Sequence, residues 1–184
     1  MNRNTKAILA IGILLSAGQV FAVESSPYAG EEVRAIKSLS EAEIDGLLAG
    51  AGLGYAKAAE LNGYPGPAHV LELSEELSLT AEQRKKTEAI FSEMQTAAQE
   101  LGARLVAAER ELNEAFKNKA IDDSRLSELV MTIGDIESRL RAVHLRAHLR
   151  QAEILDSQQV SMYMALRGYR ESGHEHHQNM HHGH

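Results

Sequence analysis

The sequence predicts an all-α protein built on a long antiparallel helical hairpin with shorter flanking helices, and three observations predict it. All three prolines, Pro27, Pro65 and Pro67, lie at or before position 67, and from there to Arg167 the only glycines are Gly102 and Gly134. Long helices can therefore run without a forced break. Over the same stretch apolar residues recur at steps of three and four, the spacing of one helical face. Aromatic residues make up 4% of the chain and tryptophan is absent, so the core falls to Leu, Ile, Val, Ala and Met. That composition suits helix against helix.

The chain opens with Arg3 and Lys6, an apolar run from Ala7 to Leu15 and the small-residue signal Val20-Phe21-Ala22. This is the layout of a secretory signal peptide over residues 1–22, cleaved after Ala22, and it predicts a periplasmic protein. The apolar run is too short to span a bilayer, and nothing else reaches the roughly 20 apolar residues that a spanning helix needs. Residues 23–66 hold Gly46, Gly50, Gly52, Gly54 and Gly63 and read as a flexible N-terminal arm with a short helix over 40–49. A helical domain is expected over 67–170.

Pro67 opens a helix running to about Ser78, with Val70, Leu71, Leu73 and Leu77 on its apolar face. In Leu79-Thr80-Ala81-Glu82-Gln83, Thr80 caps the next helix and Gln83 reaches back to the N–H of the cap. From there Ile90, Met94, Ala97, Leu101, Leu105, Ala108, Leu112 and Phe116 form one stripe, and a helix to about Asn118 would be about 58 Å long. Lys117 to Asp123 reads as a turn in which Asp122 or Asp123 caps the following helix. Leu126, Leu129, Ile133, Ile136, Leu140, Val143 and Ala147 supply its matching stripe, and so short a connection makes the two helices antiparallel neighbours. Leu155-Asp156-Ser157-Gln158-Gln159 repeats the capping pattern with Asp156 as cap, and Met162, Leu166 and Tyr169 share a face beyond it. Residues 171–184 form a histidine-rich tail.

The pentapeptide Leu79 to Gln83, its degenerate copy Leu155 to Gln159 and the helical hairpin between them resemble the Spy/CpxP family of LTXXQ-motif periplasmic proteins, which includes the zinc-responsive ZraP and the metal sensor CnrX. The resemblance covers roughly Pro67 to Tyr169, and Asp156 departs from its threonine while keeping a cap. It implies a curved helical homodimer. It implies an ATP-independent chaperone or envelope-stress adaptor with metal-binding capacity, or alternatively a heavy-metal sensor or metal buffer. The implied partners are unfolded or misfolded envelope proteins, or a membrane sensor protein.

Nine histidines narrow the chemistry. His174, His176, His177, His181, His182 and His184 crowd the last eleven residues, and neutral imidazole suits zinc, copper, nickel or cobalt. Glu175, Gln178, Asn179, Met180 and Gly183 interrupt the run, unlike a uniform purification tag, although a tag or a solvated tail without a role is the other reading. His144 and His148 stand four apart on one side of a helix, and His69 is the candidate third ligand, with Glu72 or Glu153 as carboxylate donors. The alternative is a pair of histidines bonded to neighbours at the edge of the apolar stripe. Arg139, Arg141, Arg146 and Arg150 would repel a cation there. Those four arginines also make one helix basic and amphipathic, a surface able to hold unfolded chains weakly; a solvated face paired with Glu137 and Glu153 is the plainer reading.

The chain carries 19 Lys and Arg against 26 Asp and Glu, a balance that opposes nucleic-acid binding. It has no cysteine, hence no disulfide and no thiolate site. No phosphate-binding glycine loop or nucleophile elbow is present, so no enzyme is expected. No cofactor is obligatory; a transition metal is the candidate.

Overall fold

The computed structural model describes residues 26–169, and the expected signal peptide and histidine-rich tail lie outside them. Residues 26–32 belong to one compact unit and run through turns, one of them closed by a 2.9 Å bond from the Ala29 N–H to the Ser26 carbonyl. A second unit begins at Val33. It holds helices α1 (Glu41–Ala49), α2 (Lys57–Glu60), α3 (Pro67–Glu72), α4 (Ala81–Lys117), α5 (Asp123–Ala152) and α6 (Ser157–Leu166). Among the described residues there is no strand, and no helix is long and apolar enough to cross a membrane.

The expected hairpin is α4 and α5. Thr80 lies in extended backbone, its hydroxyl accepts the Gln83 N–H at 3.2 Å, and Gln83 Oε1 accepts the Thr80 N–H at 3.0 Å, so the capping box forms as read. Asp122 caps α5 by accepting the Arg125 N–H at 2.8 Å. Arg125 at the start of α5 pairs with Glu111 late in α4, while Arg150 near the end of α5 reaches Glu93 near the start of α4 at 2.7 Å. The helices are therefore antiparallel.

Ile90, Leu101, Leu105 and Ala108 of the expected α4 stripe are buried, as are Leu129, Ile133, Ile136, Leu140 and Ala147 of the α5 stripe, and Leu101, Leu105, Ala108, Ile133, Ile136 and Leu140 join one core cluster. Phe116, the last stripe residue, is 54% exposed, because α4 outruns its cover at the tip. α4 also buries a second row, Ala98, Gly102 and Val106, on the side where α1 packs. That packing corrects the reading of residues 23–66 as a loose arm. From Val33 on, the segment contributes buried Ile36, Leu47, Ala56 and Glu60. A glycine on each side permits the close approach: Gly50 ends α1 at φ +70°, and on α4 a Cβ at Gly102 would run into the Leu47 carbonyl.

Two further differences concern the ends. The helix opened by Pro67 stops at Glu72 instead of Ser78, and the chain turns through Ser78 at φ +50°. On α6 the expected face is wrong: Met162 is 50% and Leu166 45% exposed, whereas Tyr163 is fully buried with Val70, Leu77 and Leu155. The hydroxyl of Tyr163 has a buried partner, which turns that face inward.

The two capping boxes face each other. Gln83 Nε2 donates to Gln159 Oε1 at 2.8 Å and to the Ile154 carbonyl at 3.0 Å; Gln159 Nε2 donates to Gln83 Oε1 and to the Leu77 carbonyl, each at 3.1 Å. Each Oε1 also accepts the N–H of its own cap. Both glutamines thus use both amide protons and accept twice, so one residue type closes two helix starts and joins them.

Candidate functional site

Glu60 closes α2 and is buried to 8% exposure, a depth at which a carboxylate needs partners. Tyr163 of α6 donates its hydroxyl to Glu60 Oε1 at 2.5 Å. Burial, then the bond to Glu60, push that hydroxyl far above the usual tyrosine range, so it remains a donor. The Gly66 N–H donates to the same hydroxyl at 3.4 Å. His69 of α3 places Nδ1 3.5 Å from Oε1 and 3.4 Å from the Tyr163 hydroxyl oxygen. His148 of α5 places Nδ1 3.6 Å from Oε2 and 2.8 Å from the Tyr64 carbonyl oxygen, to which its N–H donates. Arg167, just past α6, sets Nε 3.5 Å from Oε1. Glu60 Oε2 itself accepts no hydrogen bond from the described residues. Gly66 makes room, since a Cβ there would lie 2.9 Å from His148 Cε1.

His144 stands apart from this centre. Its ring stacks on Tyr55 at 5.9 Å between centroids and 2° between planes, and its buried Nε2 has no hydrogen-bond partner among the described residues. Burial first, then the neighbouring His148, hold it below the ordinary histidine range, so it is neutral. Of the expected inner triad, then, His69 and His148 meet on one carboxylate while His144 does not join them. The carboxylate is Glu60; Glu72 and Glu153 are exposed. Glu60 and Tyr163 went unread because Lys57-Ala58-Ala59-Glu60 is too short to show a face and both partners are remote in sequence.

The basic strip divides. Arg139 pairs with Asp135 at 3.0 Å on its own helix, and Arg141 is exposed. Arg146 and Arg150 rim a groove between α4 and α5 that is lined by Ile90, Met94, Ala97, Val143 and Ala147, with Glu93 bonded to Arg150 across it.

Residues 46–162 match the family described as heavy-metal resistance. The chain belongs to this family. It is a Spy/CpxP-like helical family, and the matched span takes in Glu60, His69, His144, His148 and the groove. No curated protein and no solved structure matches the chain.

A heavy-metal resistance protein raises the question of which residues could hold a metal. Among the described residues no three His, Asp or Glu side chains are arranged to hold an ion. His148 Nδ1 is turned onto a backbone carbonyl, and Glu60 Oε1 onto a tyrosine hydroxyl. His69, His144 and His148 therefore do not fit a closed site of their own. His69 alone keeps a ligand's posture: its Nδ1 is directed at a carboxylate, its side chain is 36% exposed, and no hydrogen bond engages its Nε2 among the described residues. A carboxylate behind one ring nitrogen is the usual support for metal binding through the other. The six tail histidines lie outside the described residues.

Proposed function

We propose that this heavy-metal resistance protein acts in the cell envelope as an ATP-independent binder of unfolded or partner proteins, with metal capacity supplied by its histidines. The groove between α4 and α5 carries the reading. Its floor of Ile90, Met94, Ala97 and Val143 offers adaptable apolar contact, and Arg146 at the rim offers a long amphipathic arm with no ion-pair partner among the described residues. A surface that is open, apolar and cationic binds extended chains weakly and tolerates many sequences. The test is light scattering by a chemically denatured client diluted into the protein without ATP. Suppression is expected near equimolar protein, with several-fold weaker suppression by Ala97→Glu or Arg146→Glu variants that keep the helical circular dichroism of the parent. No suppression at several-fold molar excess contradicts the proposal.

A second reading, a heavy-metal sensor, is favoured by the Glu60 centre. Glu60, His69, His148 and Tyr163 come from α2, α3, α5 and α6, so a change at either imidazole reaches four helices. Under this reading zinc, nickel, cobalt or copper alters amide hydrogen exchange in α2, α3 and α6 with no client present. Exchange changes confined to the tail would exclude it.

A further inference from the structure

Three charged side chains line the groove between α4 and α5, and only two of them satisfy each other. Glu93 of α4 reaches across to Arg150 of α5 at 2.7 Å, and both side chains are largely exposed. Arg146, one turn earlier on the same side of α5, has no ion-pair partner among the described residues. The groove therefore carries one uncompensated positive charge. Arg146 and Arg150 stand four residues apart, a rise of about 6 Å along the helix. Two residues of an extended chain advance about 6.6 Å and keep their side chains on one side. An extended chain laid along α5 with one edge on these arginines turns its alternate side chains away from them, over the floor of Ile90, Met94, Ala97, Val143 and Ala147.

We propose that the groove selects extended segments in which apolar and acidic residues alternate, with Arg146 and Arg150 taking two carboxylates and Glu93 occupying the place of one of them until such a segment binds. This selectivity rests on the client-binding reading of the groove and adds the chemistry of the client. Arg146 supplies the first contact, since its guanidinium is free to take a carboxylate through two parallel N–H donors. Arg150 becomes available only when the second carboxylate displaces Glu93. An exposed ion pair is weak enough for that exchange. Glu93 thereby acts as a competitor built into the groove: it repels segments with a single acidic residue in the wrong register and keeps the empty groove from holding stray anions. The pattern selected, apolar and acidic in strict alternation, is that of one amphipathic strand.

The test uses the full mature chain and three fluorescent peptides, read by anisotropy: one alternating Val and Glu, one alternating Val and Lys, and one with the first composition but its Glu residues in a single block. The chain carries 26 Asp and Glu against 19 Lys and Arg, so its overall field favours the basic peptide, and a preference for the acidic one reports the groove. The parent is expected to bind the alternating acidic peptide about fivefold tighter than either of the others. Glu93→Gln should tighten that peptide about threefold by freeing Arg150, a gain that damage to the fold would not produce. Arg146→Gln should bring the acidic and basic peptides to similar affinity. Equal binding of all three peptides by the parent, or no gain in Glu93→Gln, overturns the selectivity while leaving client binding in the groove intact. If none of the peptides binds and the protein also fails to suppress aggregation of a denatured client, the client-binding reading itself is overturned.

Discussion

Burying Glu60 costs free energy that its neighbours must offset, and the Tyr163 hydroxyl at 2.5 Å is the nearest of them. Tyr163→Phe keeps the ring in its apolar cluster and leaves the carboxylate one donor short. We expect a loss of about 1–3 kcal/mol in urea unfolding, and a loss near zero would show that Glu60 is satisfied without the hydroxyl. His144 supplies a pH dependence with a definite sign. Its pKa is lowered below 6.5 in the fold, so the unfolded chain binds a proton more readily. The stability that this group contributes is present above about pH 6.5 and is lost as the pH falls toward its lowered value. Melting temperature should drop from about pH 7 to about pH 5.5, less steeply in His144→Phe, which retains an aromatic ring against Tyr55; equal slopes would assign the dependence to other groups. Spacing four apart correctly put His144 and His148 on one helix side. It did not reveal their partners, because Tyr55, Glu60 and Tyr64 come from the stretch whose glycines read as a loose arm.

At the scale of elements, two glycines inside helices have opposite roles. Gly134 on α5 has open space where a Cβ would stand, so Gly134→Ala is expected to stabilise by about 1 kcal/mol through helix propensity alone. Gly102 on α4 has the Leu47 carbonyl there, so Gly102→Ala must push α1 off α4 and should cost about 1–3 kcal/mol. Thermal melts of the two variants shifting in opposite directions would bear out this packing, and a shared direction would refute it. The sequence alone could not tell the two apart, since both simply interrupt helical runs. Helix starts were legible because a cap and the residue three places on form a local pattern, and Thr80, Asp122 and Asp156 all cap as their types suggest. The clasp between Gln83 and Gln159 is a contact across 76 residues and leaves no local trace. A double-mutant cycle with Gln83→Ala and Gln159→Ala should give a coupling of about 0.5–3 kcal/mol, whereas additive effects would mean two independent caps.

The chain belongs to the heavy-metal resistance family, and its helical hairpin was readable from periodicity whereas the groove between the two helices was readable only in part. All four arginines of the basic strip lie on α5, and pairing decides which of them is available: Asp135 holds Arg139, Glu93 holds Arg150 at the groove, and Arg146 lines that groove unpaired among the described residues. Periodicity reports which residues face inward on one helix and says little about the open seam between two. The proposal that this seam binds client chains is tested most directly by photocrosslinking, with a photoreactive residue placed at Ala97 on the groove floor or at Met131, which is 76% exposed outside the groove. A denatured client should crosslink at Ala97 well above Met131, and free client added in excess should compete the signal away. Equal crosslinking at both positions, or none at Ala97, would contradict the account.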